Sequence, residues 1–407
     1  MRAVGYAYPW DVLDAPGFVE RVRELGVDEV AVAVSYHSAR AATPWSTAGT
    51  SVLARHAALY RPVREEAWRD AALRPAAPDW VRIPDSAGDA VRVLNAAGVP
   101  AAAWIVLTHN SRLGTEFPQY AVRNCFGESY PWSLCPSQPE VRTYAARLTA
   151  ESVAGLHLAS VVLEACGQLG AVHQHQHEKT DGVWSPAVER LLSVCCCTAC
   201  AEEWAASGAR PDDVRHLLRT EIRRLLDSAD LTATGDELPV ELRALILDTR
   251  QRGTDRLRDG VLAAVGPGIR VVLHGALDPW ATGALPGLTP AAAAGADALV
   301  LPNWAPGRAS SDAVAQARRE LPPGVDVGSY VSAVAAAPVP DMAAYVTELA
   351  GAGAAELHLY HLGLAGPGRR PDLRAAVKAA HAAAPYRIRP GTPHESGRRR
   401  AGAAGPG

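Results

Sequence analysis

The stretch Glu24-Leu25-Gly26-Val27-Asp28-Glu29-Val30-Ala31-Val32 condenses one structural event. A helical stretch stops at a glycine, a short turn follows, and a buried β-rich run begins. The phrase returns as Asn95-Ala96-Ala97-Gly98-Val99-Pro100-Ala101-Ala102-Ala103-Trp104, as Ala293-Ala294-Gly295-Ala296-Asp297-Ala298-Leu299-Val300-Leu301, and as Gly351-Ala352-Gly353-Ala354-Ala355-Glu356-Leu357-His358-Leu359. Such a repeated joint marks helices alternating with the strands of a parallel sheet.

On either side of these joints, eight strands are predicted: Ala3–Tyr8, Glu29–Tyr36, Ala101–Leu107, Ala159–Leu163, Arg270–Leu273, Ala298–Leu301, Val325–Tyr330 and Glu356–Tyr360. Helical patterns fall at Phe18–Leu25, Ala87–Ala97, Pro139–Ala154, Ser311–Leu321, Asp341–Leu349 and Asp372–Ala384. The class is α/β. Eight units favour one closed (β/α)8 TIM barrel over an open doubly wound sheet. No glycine-rich dinucleotide phrase follows the first strand, where Tyr8-Pro9-Trp10 stands instead. The barrel is expected over residues 1–384, with long insertions at about 38–85 after strand two and 165–265 after strand four. The Arg-, Gly- and Pro-rich stretch 385–407 reads as a disordered basic tail.

Composition narrows the function. Of 407 residues, 48% are apolar, which is enough for a large core. The net charge of −3 gives no electrostatic case for nucleic acid or an anionic membrane. No signal peptide or membrane-spanning apolar run is visible, so a cytoplasmic location is expected. The Ala, Arg and Pro richness has the bias of a GC-rich bacterial genome. Seven cysteines, four of them between Cys195 and Cys200, suggest thiols or metal ligands rather than a secreted disulfide framework. No feature sets an oligomeric state.

The ends of the predicted strands form a ring. They deliver Tyr8 and Trp10, Tyr36 and His37, His109 and Asn110, Glu164, His274 with Asp278 just beyond, Asn303 and Trp304, Tyr330, and Tyr360 with His361. Aromatic faces stack on sugar rings, while His, Asn and Glu bond their hydroxyls. Any one of these histidines is explained as a satisfied loop residue; the set favours a site. Trp45, in the first insertion, joins the stacking candidates. Glu164 stands out because it ends the apolar run Ala159-Ser160-Val161-Val162-Leu163. A carboxyl half-desolvated by such neighbours has a raised pKa, which suits a general acid.

The segment Asn124–Glu151, with Cys135-Pro136-x-x-Pro139 opening a helix and Glu164 following on strand four, resembles glycoside hydrolases of the family 42 β-galactosidase type. The resemblance implies a TIM barrel that acts on a small-molecule carbohydrate, with Glu164 as acid/base. It also implies departures. Leu163 stands where the related clan usually has Asn before the acid. Strand seven ends at Tyr330, where that clan carries a nucleophilic Glu. Asp278 is the candidate partner carboxylate that lies just past a core strand. Cys195-x-Cys197-x-x-Cys200 resembles that family's zinc cluster, which implies a structural zinc. Cys166, placed first, or Cys135 or Cys125 would supply the fourth thiolate. The alternative is a group of buried reduced thiols.

His173, His175 and His177 alternate along one stretch, and His173 and His177 would share a helical face. Metal binding, substrate contact and a solvated loop are all open for them. Three functions follow from these residues: a carbohydrate-active hydrolase using Glu164; a metal-dependent isomerase, lyase or hydrolase; and a degenerate barrel that binds a sugar or a protein.

Overall fold

The computed structural model describes residues 1–172, 179–335 and 339–383. Eight parallel strands form its centre: β1 (Arg2–Ala7), β2 (Glu29–Tyr36), β3 (Ala101–Val106), β4 (Ser160–Glu164), β5 (Arg270–His274), β6 (Ala298–Pro302), β7 (Asp326–Ser332) and β8 (Glu356–Tyr360). β1 pairs with β2 through Val4↔Glu29 and with β8 through Arg2↔Glu356, so the sheet closes on itself. The eight strands are those predicted, with bounds within two residues.

Helices α1 (Phe18–Leu25), α2 (Ser86–Ala96), α3 (Pro139–Val153), α4 (Val240–Val265), α5 (Arg308–Glu320), α6 (Met342–Ala352) and α7 (Arg370–Ala382) follow the strands. Their starts and stops are written locally. Asp85 and Asp341 cap α2 and α6 by accepting from Gly88 N–H and Ala344 N–H. The unit after β5 lacks an α-helix and has only the 3-10 turn Ala292–Gly295. Pro279, Pro286 and Pro290, with Gly275, Gly283 and Gly287, break helical propagation there.

The barrel interior is unusually polar. At the strand starts, Arg2 pairs with Glu29, whose carboxylate also accepts from Ser160 Oγ at 2.6 Å. Arg270 pairs with Glu356 and Asp326, each at 2.9 Å. The two buried carboxylates, Glu29 and Glu356, both have donors, as burial requires. In the middle layer His358 fills the space that Gly328 leaves. A Cβ at Gly328 would come within 2.8 Å of Val300 Cγ2 and 3.1 Å of His358. Any side chain at position 328 would push that layer apart.

A second core stands beside the barrel. It joins the hairpin Ala121–Arg123/Ser129–Leu134, on the β3–α3 connection, to helices Pro186–Leu192, Thr198–Ala206 and Pro211–Asp227 of the strand-four insertion. α4 serves both cores. Leu242 and Ile246 lie in the second, while Leu257, Val261 and Val265 lie in the barrel's. Among the described residues, no helix is long and apolar enough to cross a membrane.

Candidate active site at the barrel mouth

Glu164 is the last residue of β4 and is 4% exposed. Its Oε2 accepts from Trp104 Nε1–H at 2.8 Å and lies 3.7 Å from His274 Nδ1. Burial pushes the carboxyl up to about 7, against the lowering effect of the Trp104 bond. Ala165, immediately after it, is left-handed at φ 51°. Its N–H bonds Ala284 O at 2.8 Å, and its carbonyl accepts from Thr108 Oγ1 at 2.8 Å. These bonds hold a conformation that costs an L-residue about 1 kcal/mol, and they turn the chain sharply behind the carboxyl.

An aromatic ring surrounds Glu164. Tyr36 meets Trp104 at 4.6 Å between centroids, Tyr330 meets His274 at 4.9 Å, and Tyr8 meets His361 at 4.4 Å. The Tyr8 and Tyr360 hydroxyls are 3.5 Å apart. Burial raises the pKa of Tyr6, Tyr36, Tyr330 and Tyr360, and the Glu164 charge raises each further. Their hydroxyls stay protonated.

A hydrogen-bond chain runs down the barrel axis from His274, which stands beside Glu164. Burial raises the Glu356 carboxyl, but His358, Arg270 and Arg2 outweigh it and hold the group below its ordinary value. It is therefore a carboxylate, and it accepts from His358 Nε2–H at 3.1 Å. With Nε2 donating, His358 Nδ1 is placed to accept from the Tyr6 hydroxyl, 2.9 Å away. The Tyr6 oxygen accepts in turn from His274 Nε2–H at 2.8 Å. Burial holds the His274 pKa well below the ordinary value, so the ring is neutral and, with Nε2 donating, its Nδ1 carries a lone pair. That lone pair has no hydrogen-bond partner among the described residues and faces Glu164. A protonated Glu164 can donate toward it; a carboxylate is repelled.

Tyr6→Phe cuts this chain and frees His274 to carry its proton on Nδ1. The Glu164 pKa is then expected to fall by about one unit. The infrared carbonyl band of protonated Glu164, assigned by its loss in Glu164→Gln, would report this. A pH midpoint unmoved by Tyr6→Phe would show that the chain does not govern the proton.

A second buried carboxyl stands beside this ring, and sequence reasoning missed it. Asp11 lies in the short helix Pro9–Leu13, and its Oδ2 accepts from Tyr8 N–H at 2.8 Å. Gly363 closes over it, so that a Cβ there would come within 2.0 Å of the carboxyl. Burial pushes Asp11 up to about 7, opposed by the Tyr8 bond and by Arg21. Nothing in Pro9-Trp10-Asp11-Val12-Leu13 separates it from an ordinary first-turn acid. Trp104 and His358 were also missed, because mid-strand residues show their direction only once the register is known.

The other sequence candidates divide into groups. His37 stacks on Tyr36 and His109, each at 4.2 Å. His361 accepts from Gly363 N–H at Nδ1, which puts its proton on Nε2, a buried atom without a partner among the described residues. Burial lowers its pKa to about 3. Trp10 is buried against Tyr8 at 4.5 Å, and Trp304 is exposed beside Tyr330 at 6.4 Å. Trp45 lies outside the ring, under the Arg21 guanidinium at 4.2 Å. The two asparagines have structural tasks: Asn110 caps Ser111–Glu116 and bonds Tyr144, while Asn303 bonds Ser310 O. Asp278 is exposed, and its carboxylate accepts from Trp280 N–H at 2.9 Å in its own turn. His173 and His177 lie outside the described residues.

The cysteines resolve differently from the expected set. Cys135, Cys195, Cys197 and Cys200 gather with their sulfurs within 4.8 Å of one another, all buried, a group that could hold a metal. Cys135, on the hairpin side, supplies the fourth sulfur. Cys166 does not: it sits on the strand-four exit near Arg258 and Asp259, where burial raises its thiol to about 12. Cys197 is the N-cap of helix Thr198–Ala206, with Cys200 in its first turn. The neighbouring Cys135, Cys195 and Cys200 thiols hold Cys197 well below its ordinary value. Cys196 turns away and points its thiol at Val194 O.

No family model matches the sequence, and no curated protein matches it. Solved structures do match. The glycoside hydrolase domain of PgaB from Bordetella bronchiseptica aligns at TM-score 0.57 and 14% identity, over 93% of this chain and 99% of that one. The barrel is similar to those of glycoside hydrolases. An α-L-fucosidase from Paenibacillus thiaminolyticus aligns at TM-score 0.55 and 14% identity, over 94% of this chain and 49% of its own. Gan42B, a family 42 β-galactosidase from G. stearothermophilus, aligns at 0.54 and 11%, over 94% and 55%. This chain thus spans about half of the latter two proteins. At these identities the likeness concerns the fold.

Proposed function

We propose that the chain is a carbohydrate-active hydrolase of glycoside-hydrolase type, with Glu164 as its general acid/base and a small carbohydrate as substrate. The observation that carries this reading is Glu164 itself. It is a strand-end carboxyl at the C-terminal face of a barrel, buried and pushed up to about 7. At neutral pH about half of such groups hold a proton and can deliver it to a leaving oxygen. Asp11 is the better-supported second carboxyl. It is buried beside the same aromatic ring, whereas Asp278 is exposed and engaged in its own turn.

Glu164→Gln keeps the shape and removes the titrating proton. It is expected to lower kcat/KM by roughly 10²–10⁴-fold on whichever aryl galactoside, fucoside or glucosaminide the wild type cleaves. Retained activity in a folded variant would remove Glu164 from the chemistry. A wild type that cleaves none of them would favour a sugar-binding barrel without hydrolysis. One observation supports that second reading: the sizeable cavity at the mouth has Asp11, not Glu164, in its wall.

We further propose that the four-cysteine cluster holds a structural zinc. A tetrahedron with Zn–S bonds of about 2.3 Å has edges of about 3.8 Å. Cys135 Sγ lies 3.7 Å from both Cys200 Sγ and Cys197 Sγ, which fits such edges. The cluster joins the strand-three hairpin to the strand-four insertion, so its role would be to staple the second core.

A further inference from the structure

A cavity of about 540 Å³ opens on one side of the mouth, between the helix Pro9–Leu13, the first insertion and the turn at Gly363. Indoles of Trp10, Trp45 and Trp80 stand in its walls, with Asp11, Asp14 and Arg82 among the polar groups. We propose that this cavity is a carbohydrate-binding site of its own, shaped for the neutral pyranose rings of a disaccharide or a chain end. It does not require Glu164 to be catalytic.

The wall chemistry selects the ligand. Two carboxyl groups disfavour an anion. Arg82 in the wall, and Arg21 already over the Trp45 ring at 4.2 Å, disfavour a cation. Polar groups interleaved with the indoles disfavour a purely apolar guest. What fits is a neutral molecule with apolar faces and many hydroxyls. The volume lies in the range that encloses ligands larger than a single sugar ring.

The walls are set before any ligand arrives. Trp45 Nε1–H donates to Ala365 O at 2.9 Å, and Trp80 Nε1–H to the Tyr60 hydroxyl at 3.3 Å, which fixes both rings. Trp10 Nε1–H is different. It is buried, on a residue 4% exposed, and has no partner among the described residues. The indole therefore meets the cavity through its ring rather than its N–H. Asp11, titrating near neutrality, can donate as well as accept.

Isothermal titration calorimetry with maltose, cellobiose, lactose and N,N′-diacetylchitobiose tests the proposal. At least one should bind saturably to the wild type. Trp80→Ala should weaken that binding by about tenfold or more. Gly49→Phe should do the same from another wall; a Cβ at Gly49 meets nothing within 4 Å, so the added ring invades open space rather than core. Glu164→Gln should leave the affinity within about twofold. The proposal is overturned if none of the four disaccharides binds. It is equally overturned if the folded Trp80→Ala and Gly49→Phe proteins bind like wild type, or if Glu164→Gln abolishes binding that both retain. Because Glu164→Gln is read by binding here and by turnover above, the two readings can fail separately.

Discussion

Serine at Cys200 is expected to destabilise the second core by about 3 kcal/mol or more, with chelation of the wild type giving a loss of the same kind. The four buried sulfurs come from two separate segments. Without a metal they are weak hydrogen-bond partners that pack little surface. With zinc they become four bonds across a chain separation of 65 residues between Cys135 and Cys200. Most of the metal's binding free energy is then folding free energy. Denaturant unfolding with and without chelator, together with elemental analysis, measures it; about one zinc per chain is expected. Cys166→Ser is the control and should keep the metal, since Cys166 stands outside the cluster. A wild type purified without metal, and indifferent to chelator, would leave only four reduced thiols.

Glu164→Gln and Asp11→Asn should each make the protein more stable at pH 8.5. Burial raises both carboxyls, Glu164 from 4.5 and Asp11 from 3.8, to about 7. The folded state therefore holds protons that the unfolded chain has released. Stability from this source is fully present below the unfolded values and is lost as pH rises through about 7. Each tenfold change in proton affinity is worth about 1.4 kcal/mol, so the loss is on the order of 3 kcal/mol for Glu164 and 4 kcal/mol for Asp11. The neutral amides escape it. The advantage over wild type should be largest above pH 8 and fade toward pH 4. Urea midpoints across that range would show it. A Glu164→Gln protein less stable than wild type at pH 8.5 would mean that the carboxylate form has a stabilising partner of its own.

The barrel was legible because its joints are local. Gly26 and Gly353 are left-handed caps at the ends of α1 and α6, and each precedes a strand by a few residues. Glu164 was legible for a related reason: an acid ending an apolar strand announces its own desolvation. Asp11 was not, because what buries it is Gly363, which is remote in sequence and arrives only when β8 closes against β1. Cys135 could not be chosen over Cys166 for the same kind of reason. The choice depends on a hairpin between β3 and α3 that folds back onto the strand-four insertion. The missing helix after β5 was written in its prolines. The capping bond of Asn110 and the loop bond of Asn303 become visible only in the fold.

The 26 residues of α4 make a rod of about 39 Å that passes from one core into the other without a break. Arg250, midway, also ties the rod to the loop after β5 through Trp280 O and Ala281 O. A continuous helix packed into both cores makes the insertion and the barrel expected to unfold together rather than across a hinge. Whatever anchors the distant sulfurs lends cooperativity to the barrel wall on which Glu164 stands.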